Sequence, residues 1–545
     1  MTSSIKSESN KDGKNTPTTD RSEKEQSTMQ NTVDDSHHDP SITEHRRESD
    51  TTTATTLRST NVEQQTNEKD LEKQPVQPPS NDDPNRVKWG PNDPGNPKNW
   101  SNRYRAFCTL QLGILAFSAS MASSIISPSA PVLAAKFDLS ENIMVFDVSL
   151  YVLGFAFGPC IFSGISETLG RRWSLLPAMF CLALFSIGSA VSNSPQALFI
   201  TRFFGGIFGS APVSNVAACL GDLYPPKSRG VAVSLYALAV VAGPVVAPLI
   251  GAALTLKVSW RWTEYLTAIW VFAVAVFECF VLPETYEPVL LKRRAIQLRK
   301  ETGNEKLYHP HESVKLDPKS ILTRQVTRPV RMLFTEPIVT VIALYASFIY
   351  ALLYMSLEIV PLIFTNLRGW GPVVSTLPFL AIFVGILAAL AINLGNAPYY
   401  SKAVDKAGGK PVPEARLPPM FIGTIFFCVG LFWIGWTADP KYSWVLPVFG
   451  LGFLGAGFNS SFQQCINFLV DSYTLYAASA VSANTFLRSL MAAGLPFAVR
   501  PMFEALGAAK ALSILGALAG AAIPMPVLFS IYGKRLRSKS KFAQE

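Results

Sequence analysis

Long apolar runs dominate this sequence and restrict what it can fold into. About 12 of them reach roughly 20 residues, the length that an α-helix needs to cross the hydrocarbon core of a bilayer. Charged residues make up only 16% of the chain and lie mostly in the tails and links, whereas typical soluble domains carry about 25%. The sequence therefore predicts an all-α membrane protein with about 12 transmembrane helices.

The predicted spans form two sets of six, separated by a polar stretch. The first set covers approximately 103–126, 143–163, 174–192, 196–220, 230–254 and 263–282, and the second approximately 338–364, 373–394, 418–437, 444–468, 476–500 and 510–532. Five regions follow from this pattern. They are a cytoplasmic tail with a Trp-rich lead-in (1–102), a first six-helix bundle (103–283), a cytoplasmic loop (284–336), a second six-helix bundle (337–533) and a basic cytoplasmic tail (534–545).

The distribution of charge predicts the orientation and argues against nucleic acid as a partner. The net charge is +9, but the basic residues fall in short links between apolar runs, as the positive-inside rule describes. The richer links hold, among others, Arg171, Arg172, Arg229, Lys402 and Arg416. Both termini are therefore predicted to lie in the cytoplasm, with the chain embedded in the lipid bilayer.

Cysteine and histidine usage argues against a metal site, a cofactor or a membrane enzyme. The seven cysteines lie within or at the ends of apolar runs without a Cys-x-x-Cys pair, so they are interpreted as small buried side chains. All five histidines lie in polar segments. Since no Gly-x-x-x-x-Gly-Lys-Ser/Thr run is present to bind a nucleotide phosphate, the chain is predicted either to use an ion gradient or merely to equilibrate its substrate.

Three polar segments flank the predicted bundles. Residues 1–84 lack aromatics and are rich in polar types, which predicts a disordered tail, either regulatory or simply solvated. The lead-in Trp89–Trp100 is expected along the inner leaflet because aromatics favour the membrane interface. The basic run after the sequence PETY predicts an amphipathic helix on the inner membrane face, with a soluble linker helix as the alternative.

A short charged link, GISETLGRRW, begins at Gly164 and joins the second and third spans. So short a link forces the two apolar runs into an antiparallel hairpin. Glu167, Gly170 and Arg171 stand where one helix ends and the next begins. The pattern resembles the cytoplasmic loop signature of the major facilitator superfamily of transporters. Ser163 stands where that signature has its leading glycine, and Glu167 where it has an aspartate.

The resemblance covers approximately Trp89–Lys534, and the lead-in and the PETY run are similar to the fungal drug/polyamine:proton antiporters with 12 membrane spans. It implies the major facilitator fold, with two six-helix bundles around a central cavity, and transport by alternating access. A weak internal repeat agrees with two related halves. Its members are Glu167, Gly170, Arg171 and Asp222 in the first half, and Asp405, Gly408, Lys410 and Asp471 in the second.

The same resemblance implies a cytoplasmic gate. In the family, a charge cluster ties the second, third and fourth spans together and holds this side closed. Carried over, Glu167 and Arg171 form one pair, with Asp222 as the partner at the end of the fourth span. The full set is Gly164, Glu167, Gly170, Arg171, Arg172, Asp222 and Arg229. The alternative is that these charges only set the topology.

The fifth span contains the run AGPVVAPLIG. Its small residues include Gly243, Ala247 and Gly251, and its prolines are Pro244 and Pro248. Proline removes a backbone donor and kinks a helix, and glycine permits close helix packing. The run resembles the antiporter signature of the superfamily, which implies export rather than uptake. Ordinary helix packing is the alternative interpretation.

Charged residues inside the predicted spans are candidates for proton coupling, because each costs at least about 2.5–3.5 kcal/mol to place there. Arg202 matches the family's fourth-span arginine, which implies a part in proton coupling. Glu358 in the seventh span is the candidate proton-binding carboxylate, and a fixed ion pair with an arginine such as Arg488 is the alternative. Arg488 itself is a candidate counter-charge or anion site. Asp147 and Glu278 lie nearer the span ends and are interpreted as structural.

A set of polar and aromatic residues is expected to line the substrate cavity. It comprises Tyr350, Tyr354, Asn459, Gln463, Asn467, Asn484 and Arg488. The four-residue spacing of the tyrosines, and of the polar residues in the tenth span, places each set on one helix face. Aromatics with one acid suit an amphipathic cation, whereas helix–helix hydrogen bonding is the alternative for the tenth span.

Together these features predict a proton-coupled antiporter that exports small amphipathic or cationic molecules such as drugs, toxins or polyamines. The main alternative is a dedicated exporter of one endogenous secondary metabolite, followed by an uptake symporter and a non-transporting receptor. No cofactor is expected beyond the proton gradient. The resemblance implies a monomer in the plasma membrane, with the vacuolar membrane as the alternative.

Overall fold

The computed structural model of this protein describes residues 83–314, 326–473, 476–538, 540 and 542. The predicted disordered tail therefore lies largely outside the described residues, as does 315–325 in the predicted central loop.

The first bundle is formed by six long helices with short connections. They are α1 Asn102–Ser124, α4 Phe146–Thr168, α5 Arg171–Ala190, α6 Pro195–Leu223, α7 Pro226–Lys257 and α8 Arg261–Val281, and α2 Ala130–Phe137 and α3 Glu141–Met144 connect α1 to α4. Local sequence fixes the helix starts. The hydroxyls of Ser101 and Ser194 accept the N–H groups three residues further on, and Pro195 occupies the first position of α6.

The second bundle follows a polar connection. Helices α9 Glu287–Thr302 and α10 Arg328–Thr335 lie in the connection, and the bundle contains α11 Pro337–Pro361, α12 Phe379–Lys406, α13 Leu417–Thr437, α14 Val445–Ser472, α15 Ala477–Gly494, α16 Val499–Ala521 and α17 Pro524–Arg537. The predicted basic tail thus begins inside α17, since Lys534 to Arg537 are helical.

The last two spans form one helical stretch that reverses at Gly507. Among the described residues, 11 segments are long and apolar enough to cross a membrane, and the last is the 61-residue segment Ala477–Arg537. A straight helix of that length would measure about 90 Å, three times the bilayer core. Gly507 has φ 75° and ψ 164°, which ends one helical segment of α16 and begins another. The stretch therefore supplies two spans, and the predicted all-α fold with about 12 spans is confirmed.

Ion pairs between distant links define two faces of the molecule. Lys98 Nζ lies 3.7 Å from Glu287 Oε2, and Arg537 at the end of α17 contacts Glu414, which precedes α13, at 2.6 Å. We call this the tail face. The links on the opposite face include Glu141 in α3 and Arg500 near the start of α16, whose side chains are 2.6 Å apart.

The two bundles share one packing scheme, as two related halves require. In the first, α4 and α5 pack on α6, α1 packs on α7, and α5 packs on α8; in the second, α12 and α13 pack on α14, α11 on α15, and α13 on α16. The bundles meet mainly through α4 with α15 and α7 with α12. These two contacts are equivalent when the halves are exchanged, which is the arrangement expected of repeated transporter halves.

Helix α9 packs against the chain's own lead-in. Val87 is buried with Leu291 and Ala295 of α9, and Trp89 and Leu298 pack on the same small core. The predicted helix is therefore present. Its buried face is occupied by protein, which agrees with the alternative of a linker helix.

Candidate functional site

On the tail face, the first residue of α5 forms a buried ion pair with the end of α6. Arg171 Nε donates to Asp222 Oδ2 at 2.8 Å, and Nη2 donates to Oδ1 at 3.4 Å. Arg171 Nη1 also donates to Ser166 Oγ at 2.8 Å. The guanidinium stacks on the Tyr286 ring, 4.5 Å from its centroid. This geometry matches the predicted partnership of Arg171 and Asp222.

Glu284 completes this cluster and was not among the predicted residues. Its Oε1 accepts the N–H of Arg171 at 2.9 Å, and its Oε2 accepts the N–H of Arg172 at 3.2 Å. A carboxylate is well suited to the unpaired N–H groups and positive dipole of a helix start. Gly170 has φ 105°, and a Cβ there would lie 2.4 Å from Glu284 Oε2. The PETY run was noticed in the sequence, but nothing local links its Glu to α5.

The other predicted gate residues lie nearby without joining the ion pair. Among the described residues, no hydrogen bond or ion pair joins Glu167 to Arg171, so the predicted pairing of these two was wrong in this state. The guanidinium of Arg172 donates to the Cys279 carbonyl. Gly164 is buried in α4, and its carbonyl accepts the Thr168 hydroxyl. Arg229 lies beside Gly221 and forms no ion pair within the described part of the chain.

The second bundle has its own version of this ion pair. Arg416 Nε lies 3.0 Å from Asp471 Oδ2, and the Tyr400 hydroxyl donates to the same oxygen at 2.8 Å. The Arg416 guanidinium stacks on the Tyr400 ring, 3.4 Å from its centroid. In the predicted repeat, Lys410 is the residue that corresponds to Arg171. Arg416 forms the ion pair with Asp471 instead, because it directly precedes α13. Its position corresponds to that of Gly170–Arg171 at the start of α5.

Within the first bundle, Arg202 is buried and contacts three other helices. Its side chain is 1% exposed, and its Nη1 lies 3.3 Å from Glu264 Oε1 in α8. Nη1 and Nη2 also donate to the carbonyls of Ala122 and Ser123 in α1, both at 2.7 Å. Nε donates to the Asp147 carbonyl in α4 at 2.9 Å. Arg202 thus connects α1, α4, α6 and α8.

Two buried acids contact this arginine, Glu264 through its carboxylate and Asp147 through its backbone carbonyl. Asp147 is 1% exposed and Glu264 is 0% exposed. Both Asp147 oxygens and the Glu264 Oε2 have no hydrogen-bond partner among the described residues. With both acids ionised, these three side chains would carry a net negative charge in an apolar bundle, which is costly. We call Asp147, Arg202 and Glu264 the proton cluster. Asp147 lies in the first turn of α4, near the span end as predicted, but it is buried. Glu264 was not among the predicted residues.

The residues of the predicted antiporter motif hold α7 against the end of α1. Pro248 has no N–H, so the Pro244 carbonyl is left without its helical partner, and Ser124 Oγ donates to it at 3.3 Å. A Cβ at Gly243 would lie 2.6 Å from the Met121 nitrogen, and one at Gly251 would lie 1.9 Å from the Ile125 oxygen. Ala247 is buried beside Met121 and Ile125. The motif thereby positions the part of α1 whose carbonyls bind Arg202.

Glu358 lies in the last turn of α11 and is paired at the opposite face. Arg500 Nε lies 3.2 Å from Glu358 Oε2, while Arg500 Nη1 lies 2.6 Å from Glu141 Oε2. One arginine of the second bundle therefore joins a carboxylate of each bundle. Glu358 therefore forms the ion pair with an arginine that was given as the alternative, with Arg500 in place of Arg488. Asp147 also interacts electrostatically with Glu358 across the interface.

An aromatic site lies where the second bundle faces the first. The Arg488 guanidinium is 4.7 Å from the Tyr350 ring centroid and 5.2 Å from that of Phe462. The rings of Tyr350 and Tyr354 are 5.3 Å apart. The Tyr354 hydroxyl lies 3.1 Å from Ser123 Oγ in α1. The aromatic site and the proton cluster thus share Ser123.

The remaining predicted cavity residues divide into two groups. Asn484 is 0% exposed, lies one turn before Arg488, and neither atom of its amide has a partner among the described residues. Asn459 donates to the Ile386 carbonyl of α12 at 3.4 Å. Asn467 donates to Gln464 at 3.3 Å within α14. Asn459 therefore forms a hydrogen bond between helices, which was the alternative interpretation. Asn467 forms its hydrogen bond within its own helix. Gln463 is buried in α14.

No group of His, Cys, Asp or Glu side chains suited to a metal ion occurs in the described ranges.

Comparison with known proteins gives consistent matches. The model of the Major Facilitator Superfamily matches residues 112–496. The chain is 39% identical over 460 residues to the major facilitator superfamily multidrug transporter FLU1 of Candida albicans, covering 83% of this chain and 75% of that protein. It is 38% identical over 457 residues to the efflux pump bik6 of Gibberella fujikuroi, covering 84% and 94%.

Among solved structures, the xylose transporter XylE from E. coli in a partially occluded inward-open conformation matches with a TM-score of 0.56. It is 18% identical, and the match covers 80% of this chain and 98% of that chain. At this identity the likeness concerns the fold alone.

Proposed function

Because this chain belongs to the major facilitator superfamily, in a group with the fungal transporters just described, we propose that it exports small amphipathic molecules, drugs among them, in exchange for protons. Relatives that carry the names multidrug transporter and efflux pump support export. The fold and family predicted from the sequence are confirmed by these matches. The finer claims of proton coupling, residue roles and location are our proposals.

The observation that carries the proposal is the proton cluster. A group of two buried carboxyl groups and one arginine is neutral when it binds one proton, which favours binding of that proton. Intramembrane acids are costly and usually mark ion pathways. Ser123 connects this cluster to the aromatic site. A change in the protonation of the cluster can therefore affect the position of α1 against α11. Arg202 therefore keeps its predicted role, with Asp147 and Glu264 as the carboxyl groups that bind the proton.

The opposite face is proposed to be extracellular and the tail face cytoplasmic. The tail-face links hold exposed basic residues such as Arg293 and Arg294, in agreement with the positive-inside rule. Arg500 joins Glu141 and Glu358, and we propose that these contacts close the opposite face. Protonation of Glu358 would remove one of the two carboxylates that hold Arg500, so Glu358 is proposed to link proton binding to opening.

The transport cycle follows from these contacts. When the Arg500 contacts open, substrate leaves outward and the proton cluster takes up a proton from outside. When they close again, the cluster releases that proton to the cytoplasm and substrate binds at the aromatic site. The Arg171–Asp222–Glu284 cluster is proposed to fix the link between α4 and α5 as the bundles rock.

The location and assembly are also proposals. A monomer in the plasma membrane, with both termini in the cytoplasm, would place the export path across the cell boundary. The vacuolar membrane is the alternative location. A fluorescent fusion expressed in yeast distinguishes the two.

The proposed function is tested with purified full-length protein in proteoliposomes loaded with a panel of fluorescent drugs. We expect flux to follow an imposed pH gradient and to collapse when a protonophore removes it. Flux that ignores the gradient would contradict proton coupling. Transport of one compound alone from a broad panel would favour the dedicated exporter predicted as the main alternative.

A further inference from the structure

The charges around the aromatic site are unevenly balanced. Most acids placed in the described membrane spans already face an arginine. Asp147 and Glu264 face Arg202, Glu358 faces Arg500, Asp222 faces Arg171, and Asp471 faces Arg416. Glu278 is buried in α8 beside Cys108 of α1, in the first bundle. Among the described residues, Arg488 forms no ion pair with any of them.

Arg488 is nevertheless buried. Its residue is 5% exposed, and its Nε has no hydrogen-bond partner in the described part of the chain. Its planar face lies near the rings of Tyr350 and Phe462, which leaves its N–H edge for an acceptor. A buried cation without a counter-charge is costly, so such a residue normally binds an anionic group.

Asn484 adds a second group of the same kind. It lies four residues before Arg488 on α15, so the two share a helix face. Both its amide nitrogen and its amide oxygen are buried without a partner among the described residues. A guanidinium and an amide, side by side, together offer several donors to a carboxylate or a phenolate.

We infer that Arg488, Asn484, Tyr350 and Phe462 form a recognition site for planar aromatic molecules that carry an acidic group, such as an aromatic carboxylate or a phenolate. The acid binds the free edge of Arg488 and the Asn484 amide, and the ring system packs against the edges of the two aromatic side chains, whose faces already contact Arg488 and each other. This inference rests on the proposed export function. It changes the cationic substrate predicted from the sequence, because the acid expected to bind a cation, Glu358, is paired with Arg500.

The test uses two dyes with the same three-ring core and opposite charge. Fluorescein is an anion, and tetramethylrhodamine methyl ester is a cation. With full-length protein in proteoliposomes and an imposed pH gradient, we expect fluorescein to be exported faster than the rhodamine. Arg488→Gln should lower fluorescein flux by about tenfold or more, because it removes a charge-assisted hydrogen bond, and should lower rhodamine flux much less, so that the ratio of the two fluxes falls.

Further variants separate recognition from folding. Arg488→Lys keeps the charge and should retain part of the fluorescein flux. Asn484→Asp supplies a carboxylate beside Arg488 and should reverse the preference between the dyes. Arg103→Gln removes an exposed arginine at the start of α1 and serves as the matched control, with no change expected.

Equilibrium binding distinguishes failure of this inference from failure of the proposed function. Fluorescein binding to the purified protein is measured by fluorescence anisotropy, with and without Arg488→Gln. If neither dye moves with the pH gradient, the proposed function fails, yet binding that depends on Arg488 still supports the site. Equal fluorescein binding by the wild type and Arg488→Gln, or no binding by either, overturns the inference, as does gradient-driven flux that prefers the rhodamine.

Discussion

Ser123 and Tyr354 join the two bundles at the point where the proton cluster and the aromatic site meet. The two hydroxyl oxygens are 3.1 Å apart. The carbonyl of Ser123 accepts a hydrogen bond from Arg202 at 2.7 Å, and the Tyr354 ring lies 5.3 Å from that of Tyr350. A shift of Arg202 on protonation of its acids would therefore move the residue of α1 that touches α11.

Removing this contact should weaken coupling more than transport itself. Ser123→Ala and Tyr354→Phe each delete a hydroxyl whose hydrogen bond is worth about 0.5–1.5 kcal/mol, and we expect the ratio of gradient-driven flux to passive exchange to fall severalfold. Ser118→Ala, also in α1, is the matched control because its hydroxyl contacts Trp270 of α8, within the first bundle. An unchanged ratio in both variants would show that coupling takes another route.

The proton cluster predicts which carboxyl groups carry the proton. Asp147→Asn and Glu264→Gln keep the side-chain volume and remove the titratable group, so gradient-driven flux should fall by about tenfold or more, while exchange of substrate without a gradient persists. The pH dependence of flux should flatten in both. Glu278→Gln is the control, because this buried acid of α8 lies beside Cys108 and outside the cluster. A gradient response retained by the double variant would rule the cluster out.

The sequence predicts the spans well because each is a local property. A run of about 20 apolar residues crosses a bilayer wherever the chain goes, and Gly170–Arg171 marks a helix start within one short link. The ion pair of Arg171 with Asp222 was predictable because the family signature joins positions that are 51 residues apart in this chain.

The rest depends on contacts that no local pattern contains. Glu284 caps α5 from 113 residues away, and Glu264 meets Arg202 across 62 residues. Glu358 pairs with Arg500 rather than Arg488, since Arg500 near the start of α16 lies at the opposite face, where it also contacts Glu141. Contacts between residues so far apart in the chain are determined by the packing of the bundle. The sequence alone therefore does not predict which buried charges become partners.

The arginine at the opposite face predicts a change in accessibility. Arg500→Gln removes both contacts to Glu141 and Glu358, and we expect the outward-open state to gain population. A cysteine placed at Ser149, which is buried in α4, should then react several times faster with a membrane-impermeant maleimide. Because the chain has seven native cysteines, the same variants without the added cysteine supply the background. Equal rates would mean that Arg500 does not hold this face closed.

The glycine before α5 predicts a loss of stability. Gly170→Ala faces both a positive φ of 105° and a Cβ position 2.4 Å from Glu284 Oε2, so we expect a cost of about 1–3 kcal/mol and a lower thermal unfolding midpoint in detergent. Gly395→Ala is the matched control, since a Cβ there meets nothing within 4 Å. If Gly170→Ala unfolds at the wild-type temperature, the Glu284 cap does not stabilise the link.

The loop after α9 predicts a pH response on the tail face. His309 Nδ1 accepts the His311 N–H at 3.2 Å, and His311 Nε2 lies 3.0 Å from the Thr168 carbonyl, so these histidines connect the loop to the α4–α5 link. Burial lowers the pKa of His309, and the positive charges of Arg86 and His311 lower that pKa further, opposed by Glu312 and Glu287. Once protonated, Nδ1 can no longer accept a hydrogen bond.

The sign of this response follows from linkage. A histidine whose pKa is lower in the closed loop binds its proton more tightly when the loop opens, so closure is stable at neutral pH and weakens as the pH falls below about 6.5. We expect amide hydrogen exchange in 287–302, corrected for its intrinsic pH dependence, to accelerate between about pH 7.5 and 5.5. His309→Gln keeps an acceptor that does not titrate and should remove this acceleration. Acceleration that persists in His309→Gln would assign the response to another group.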